Sequence, residues 1–79
     1  MFEIFEINIF EVIYSIEFET RDVKGNRVVH RHNFSQQFPA PDFYKAVEVI
    51  PDIISEQRER LGKLNARVGC CDVLSVVIK

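Results

Sequence analysis

The chain has no excess of positive charge. Its 79 residues carry 10 Lys+Arg against 12 Asp+Glu, a formal charge of −2 with both histidines neutral. A general nucleic-acid binder needs a phosphate-neutralising surplus, and this chain lacks one. Glycine is scarce too: Gly25, Gly62 and Gly69 stand alone, so no glycine-rich loop exists to cradle a phosphate. The only cysteines, Cys70 and Cys71, are adjacent. Neighbouring side chains on a strand point to opposite faces, so a bridge between these two would be strained. That excludes a disulfide framework and implies a reducing, cytoplasmic setting. No uninterrupted apolar run reaches membrane length. The opening MFEIFEINIFEV is broken by Glu3, Glu6 and Glu11 and lacks a basic leader and a cleavage site, so it reads as neither signal peptide nor span.

What the chain does contain is a folded composition, 47% hydrophobic and 28% charged. That excludes a disordered tail or a collagen-like repeat, and the length limits it to one domain, residues 1–79. Residues 10 to 20 alternate. Phe10, Val12, Tyr14, Ile16 and Phe18 share one phase, and Glu11, Ser15, Glu17 and Glu19 the other, with Ile13 an apolar exception. Period two with aromatic and β-branched content predicts a strand. Residues 2–9 are also strand-like, with helix the weaker alternative. The apolar phase slips from even positions to Phe5, Ile7 and Ile9, which predicts a bulge or bend near Ile9-Phe10.

Asp22-Val23-Lys24-Gly25 is a turn with Gly25 in the left-handed region, and it closes a hairpin. Counting outward pairs Thr20 with Val28, Phe18 with His30, Ile16 with His32, Tyr14 with Phe34 and Phe10 with Phe38. The other face pairs Glu19 with Val29, Glu17 with Arg31 and Ser15 with Asn33. Apolar residues meet mostly apolar ones and Glu meets Arg, so the register is self-consistent. Pro39 and Pro41 end the second strand, and Pro41-Asp42 suits the first turn of a helix. Phe43, Ala46, Val47, Ile50, Ile53, Ile54, Gln57, Leu61 and Leu64 then recur at helical spacing through Pro51, which predicts one kinked helix. Gly69 marks a loop. Residues 72–79 form a last strand, with Leu74, Val76 and Ile78 on one face and Val73 and Val77 on the other.

The order β-β-α-β implies a two-layer α+β domain. A three-stranded antiparallel sheet in the order 3-1-2 carries the helix on one face, with 1-2-3 the alternative order. The uncovered face would then hold Ile7, Ile9, Ile13, Val29, Val73 and Val77. An apolar patch rimmed by charge reads as an interface, the ordinary alternative being scattered surface residues. The overlong first strand also offers an edge for pairing with a twin chain.

Chemistry-bearing residues are few. His30 and His32 lie two apart on one strand, and with Cys70, Cys71 and Asp72 they could form a metal or ligand site in the order 1-2-3. In the order 3-1-2 the first strand separates them. The ordinary reading is a pair of marginal histidines and structural cysteines. Arg21, Lys24, Arg27 and Arg31 cluster around the hairpin and could touch phosphate weakly, although Glu17, Glu19 and Asp22 dilute them. No serine, histidine and carboxylate set can be assembled, because the two histidines are the only candidate bases.

The leading expectation is a non-enzymatic interaction protein without cofactor or membrane partner. It would pair with itself and bind another protein through the hairpin arginines or the helix face of Glu56, Arg58, Glu59 and Arg60. In format, a short acidic α+β chain is similar to phage and mobile-element proteins that bind and inhibit host machinery, an analogy of size and class alone.

Overall fold

The computed structural model describes residues 7–79. Three strands and one helix follow in the order β1 (Asn8–Arg21), β2 (Arg27–Ala40), α1 (Phe43–Lys63) and β3 (Arg67–Ile78). The sheet order is β2-β1-β3, antiparallel throughout. This is the expected α+β arrangement with β1 in the centre.

The hairpin has the register read from the sequence, from Thr20 opposite Val28 to Phe10 opposite Phe38. Asp22 builds its turn. One carboxylate oxygen accepts from the backbone N–H groups of Lys24 and Asn26 at 2.9 and 2.8 Å. The Asn26 amide bond, foremost among these, holds the Asp22 carboxyl below the usual carboxylate range. Gly25 closes the turn at φ +84°, a conformation an L side chain resists.

The predicted bulge near Ile9-Phe10 is absent. The β1–β2 ladder runs unbroken to Asn8 opposite Ala40. Ile9 simply continues the phase of Ile13 on the uncovered face, so that stretch needs no slip. Residues 2–6 of the proposed N-terminal extension lie outside the described residues. The irregularities fall in the β1–β3 ladder instead, between Ile13 and Tyr14 and between Ile16 and Phe18. At the first, Leu74 is the extra residue. At the second, Glu17 faces both Gly69 and Cys70. Gly69 therefore belongs to β3 rather than to a loop, and a Cβ there would stand 3.3 Å from the Glu17 carbonyl oxygen.

Asp42 is the N-cap of α1 rather than part of its first turn, and its carboxylate accepts from the Lys45 N–H at 2.9 Å. The helix continues through Pro51 as one element, with Ala46, Ile50, Ile53 and Leu61 buried. Arg60 and Lys63 in the last turn complement the dipole. Asn65, at φ 61°, then reverses the chain into β3. Leu64, expected in the core, is instead the exposed C-cap.

The core is Phe10, Val12, Tyr14 and Ile16 of β1 under α1, joined by Phe38 and Ala40 of β2. The cover is partial. Twenty-one helical residues span about 32 Å, whereas the fourteen residues of β1 span about 46 Å. The helix must also travel from the end of β2 to the start of β3 across the sheet. It therefore leaves two diagonal corners of its own face bare. One holds Val28, His30 and His32. The other holds Val73 and Ile78, which are 48% and 62% exposed. The protein is elongated, 66 × 20 × 15 Å, with a radius of gyration of 16.3 Å. A compact chain of this length has about 12 Å.

Candidate functional site

The uncovered sheet face is more polar than the sequence implied. Arg31 of β2 reaches Glu17 of β1 at 3.8 Å and Asp72 of β3 at 3.5 Å, an ionic bridge across all three strands. Arg27 holds Glu19 at 2.8 Å, and Lys79 holds Glu11 at 3.3 Å. Ser15, with Asn33 and Asp72 on either side, fills the middle. The six apolar residues expected to form one patch do not. Ile7, Ile9, Ile13 and Val77 gather at the Asn8 end around Glu11. Val29 stands opposite Glu19, six residues along β1 from Ile13, or about 20 Å away. Val73 leaves this face altogether. The extra residue at Leu74 shifts the phase, so Val73 lies opposite Tyr14 on the helix side, and Leu74 leaves the regular alternation.

The edge expected of β1 is not free over the described strand. β1 pairs with β2 from Asn8 to Arg21 and with β3 from Phe10 to Glu19. Among the described residues the free edges belong to β2 and β3.

His30 and His32 lie over the turn-proximal half of the hairpin. The Phe18 ring stacks on His30 at 5.1 Å and stands 5.4 Å from His32, and the Thr20 hydroxyl is 2.9 Å from His30 Nε2. Phe34 and Tyr14 extend the stack at 5.6 Å from each other. Cys71 lies opposite Ile16 on β3, with β1 between it and the histidines. The structure therefore does not bring the His and Cys pairs together. Among the described residues no three His, Cys, Asp or Glu side chains gather as a metal would need. Cys70 is exposed and Cys71 half-buried, both free thiols. The imidazoles are built into an aromatic row.

The hairpin arginines are partly spent on their own chain. Arg21 donates to the Gly25 carbonyl at 3.0 Å, Arg27 is forked onto Glu19, and Arg31 is shared between two carboxylates. Lys24 is exposed at the turn. An open cleft of about 560 Å³ lies between this end and the α1–β3 connection, lined by Glu19, Arg21, Arg27, Leu64, Asn65 and Arg67 among others. Sequence reasoning misses Arg67, because β3 starts five residues earlier than its apolar run. On α1, Glu56, Arg58, Glu59 and Arg60 are all exposed as expected. Arg60 also approaches Tyr14. Burial pushes the Tyr14 hydroxyl up in pKa, while the Arg60 charge opposes that rise.

The remaining surface is apolar, although its residues have the spacing of a core. Phe43 and Val47 of α1 are 53% and 45% exposed. Val49, which helical spacing does not pick out, is half-buried against the core. The Phe43 ring lies 6.4 Å from that of Phe10, whose neighbour on β3 is Ile78. Phe43 and Ile78 thus both neighbour Phe10 at one end of the molecule, while Val73 and Leu74 lie further along β3, level with Tyr14. No helix among the described residues is long and apolar enough to cross a membrane. No known protein family, curated protein or solved structure matches the chain.

Proposed function

We propose that this chain is a protein-interaction module that first pairs with itself and then binds another protein. The observation that carries this reading is its surface. Much of what is exposed is core-type: Phe43, Val47, Val73 and Ile78 on the helix side, Ile9 and Val77 on the other, and Leu74 at the bulge.

Binding rather than catalysis also accords with the side chains. The histidines are stacked in an aromatic row, and three arginines are ion-paired or bonded to backbone. The exposed charges of α1, Glu56, Arg58, Glu59 and Arg60, remain for a second protein. Two free thiols side by side suit a reducing, cytoplasmic setting.

Sedimentation velocity from about 1 to 100 μM, a range bracketing ordinary dimer affinities, tests the self-association. The expected result is a dimer that dissociates on dilution. A monomer throughout the range refutes it. Val77→Glu is expected to weaken the dimer, since it removes an exposed apolar contact and sets a second carboxylate opposite Glu11.

A further inference from the structure

We infer that the partner at the free edge of β3 is a second copy of this chain, joined β3 to β3 in antiparallel fashion with Val76 on the two-fold axis. This rests on the self-association proposed above and says where it occurs and in what register.

The two sheet edges are built differently. The β2 edge carries Arg27, Arg31 and Pro39, the charges and the missing donor that discourage strand addition. β3 carries none of these from Val73 to Ile78. Five of those six residues are apolar, and they occupy both faces. A strand apolar on both faces has the composition of a sheet interior. Here it lies at an edge, with Val73, Leu74, Val77 and Ile78 each more than two-fifths exposed.

The register follows from symmetry and charge. A two-fold axis relating antiparallel edge strands stands normal to the sheet and preserves its faces, so opposed residues must come from the same face. Within the chain, Val76 and Ile78 lie opposite Val12 and Phe10 on the helix side, and Ser75 and Val77 lie opposite Ile13 and Glu11 on the other. The bulge at Leu74 then resets the phase: Val73 faces Tyr14 on the helix side and Asp72 faces Ser15 on the other. The Lys79 N–H bonds the Ile9 carbonyl at 2.7 Å, which carries the ladder one residue further. Centring the pair on Val76 sets Ser75 against Val77, Val73 against Ile78, and Asp72 against Lys79 of the twin. Every pair shares a face, and the two charges flanking the apolar run meet their opposites. Without the bulge, Asp72 and Lys79 would lie on opposite faces and could not meet in a symmetric pair. The sheet becomes six-stranded, β2-β1-β3 continuing into its twin, with both helices on one face. The exposed Val73, Leu74 and Ile78 are strand residues of the new seam itself.

A charge swap tests the register. Asp72→Lys and Lys79→Asp, made singly, each set like charges across the seam twice per dimer, and each is expected to raise the dimer Kd about tenfold. The double variant restores opposite charges between copies and is expected to return within about threefold of the parent. Inside one chain the double variant is the worst case. The lysine introduced by Asp72→Lys would face Arg31, and the aspartate introduced by Lys79→Asp would face Glu11, so rescue reports contact between copies. In a Cys70→Ser, Cys71→Ser background, Val76→Cys is expected to form a disulfide-linked dimer under mild oxidation. A dimer without rescue and without the crosslink overturns this seam and leaves self-association standing. A monomer at all concentrations overturns both.

Discussion

Phe10 and Phe43 are neighbouring rings with opposite environments, and their truncations should differ accordingly. Phe10 is 0% exposed and joins three elements: its ring is 6.2 Å from Phe38 of β2, 6.4 Å from Phe43 of α1, and its backbone pairs with Ile78 of β3. Phe43 is 53% exposed. Replacing a fully buried Phe by Ala removes its transfer energy and leaves a cavity, about 3–5 kcal/mol together. Half-burial of Phe43 puts only about 1 kcal/mol at stake in an isolated chain. At 0.05–0.15 kcal/mol per residue, 79 residues have about 4–12 kcal/mol in all. Phe10→Ala should therefore remove about a quarter or more of the stability, and Phe43→Ala should lower Tm by about 6 °C. Urea unfolding followed by far-UV circular dichroism, run at two protein concentrations, measures both. A Phe10→Ala cost below that of Phe43→Ala at the lower concentration would refute the packing described for this end.

Two further predictions concern single elements. Asp42→Ala removes the bond to the Lys45 N–H and should cost about 1 kcal/mol in the same unfolding measurement, with Asp42→Asn close to the parent. Burial raises the pKa of Tyr14 above its ordinary value near 10. The stability linked to that shift is complete below the unfolded-state pKa and is lost as pH climbs through the higher folded-state pKa. Tyr14→Phe should therefore flatten the alkaline decline between pH 9 and 11, about the range where an unfolded tyrosine titrates. A decline as steep as the parent's would show that Tyr14 does not govern it.

The hairpin was legible residue by residue because local rules agree there. Asp22 and Gly25 specify the turn, and once it is placed, period two dictates every pair out to Phe10 and Phe38. The helix was legible in extent but less so in facing. Phe43, Val47 and Leu64 have the spacing of core residues, yet they are exposed, since periodicity shows which residues share a face and not how much sheet lies beneath. β3 was the least legible. A run such as Val73-Leu74-Ser75-Val76-Val77-Ile78 is apolar on both faces and carries no phase of its own, so nothing in it announces the bulge at Leu74. Gly69, a loop signal by composition, instead serves close approach to the Glu17 carbonyl.

Sequence alone determined the element order, the hairpin register and the lack of a glycine-rich loop or a disulfide framework. Each of those depends on neighbours within a few residues or on what the chain does not contain. Only the tertiary structure decided that β1 takes the centre and that Val29 and Val73 part from Ile9, Ile13 and Val77. It also decided that β3 is left with an apolar free edge. These depend on where α1 can run. A helix of about 32 Å that must cross from β2 to β3 cannot cover a longer sheet. Of the two corners it leaves bare, the one on β3 holds residues composed for burial.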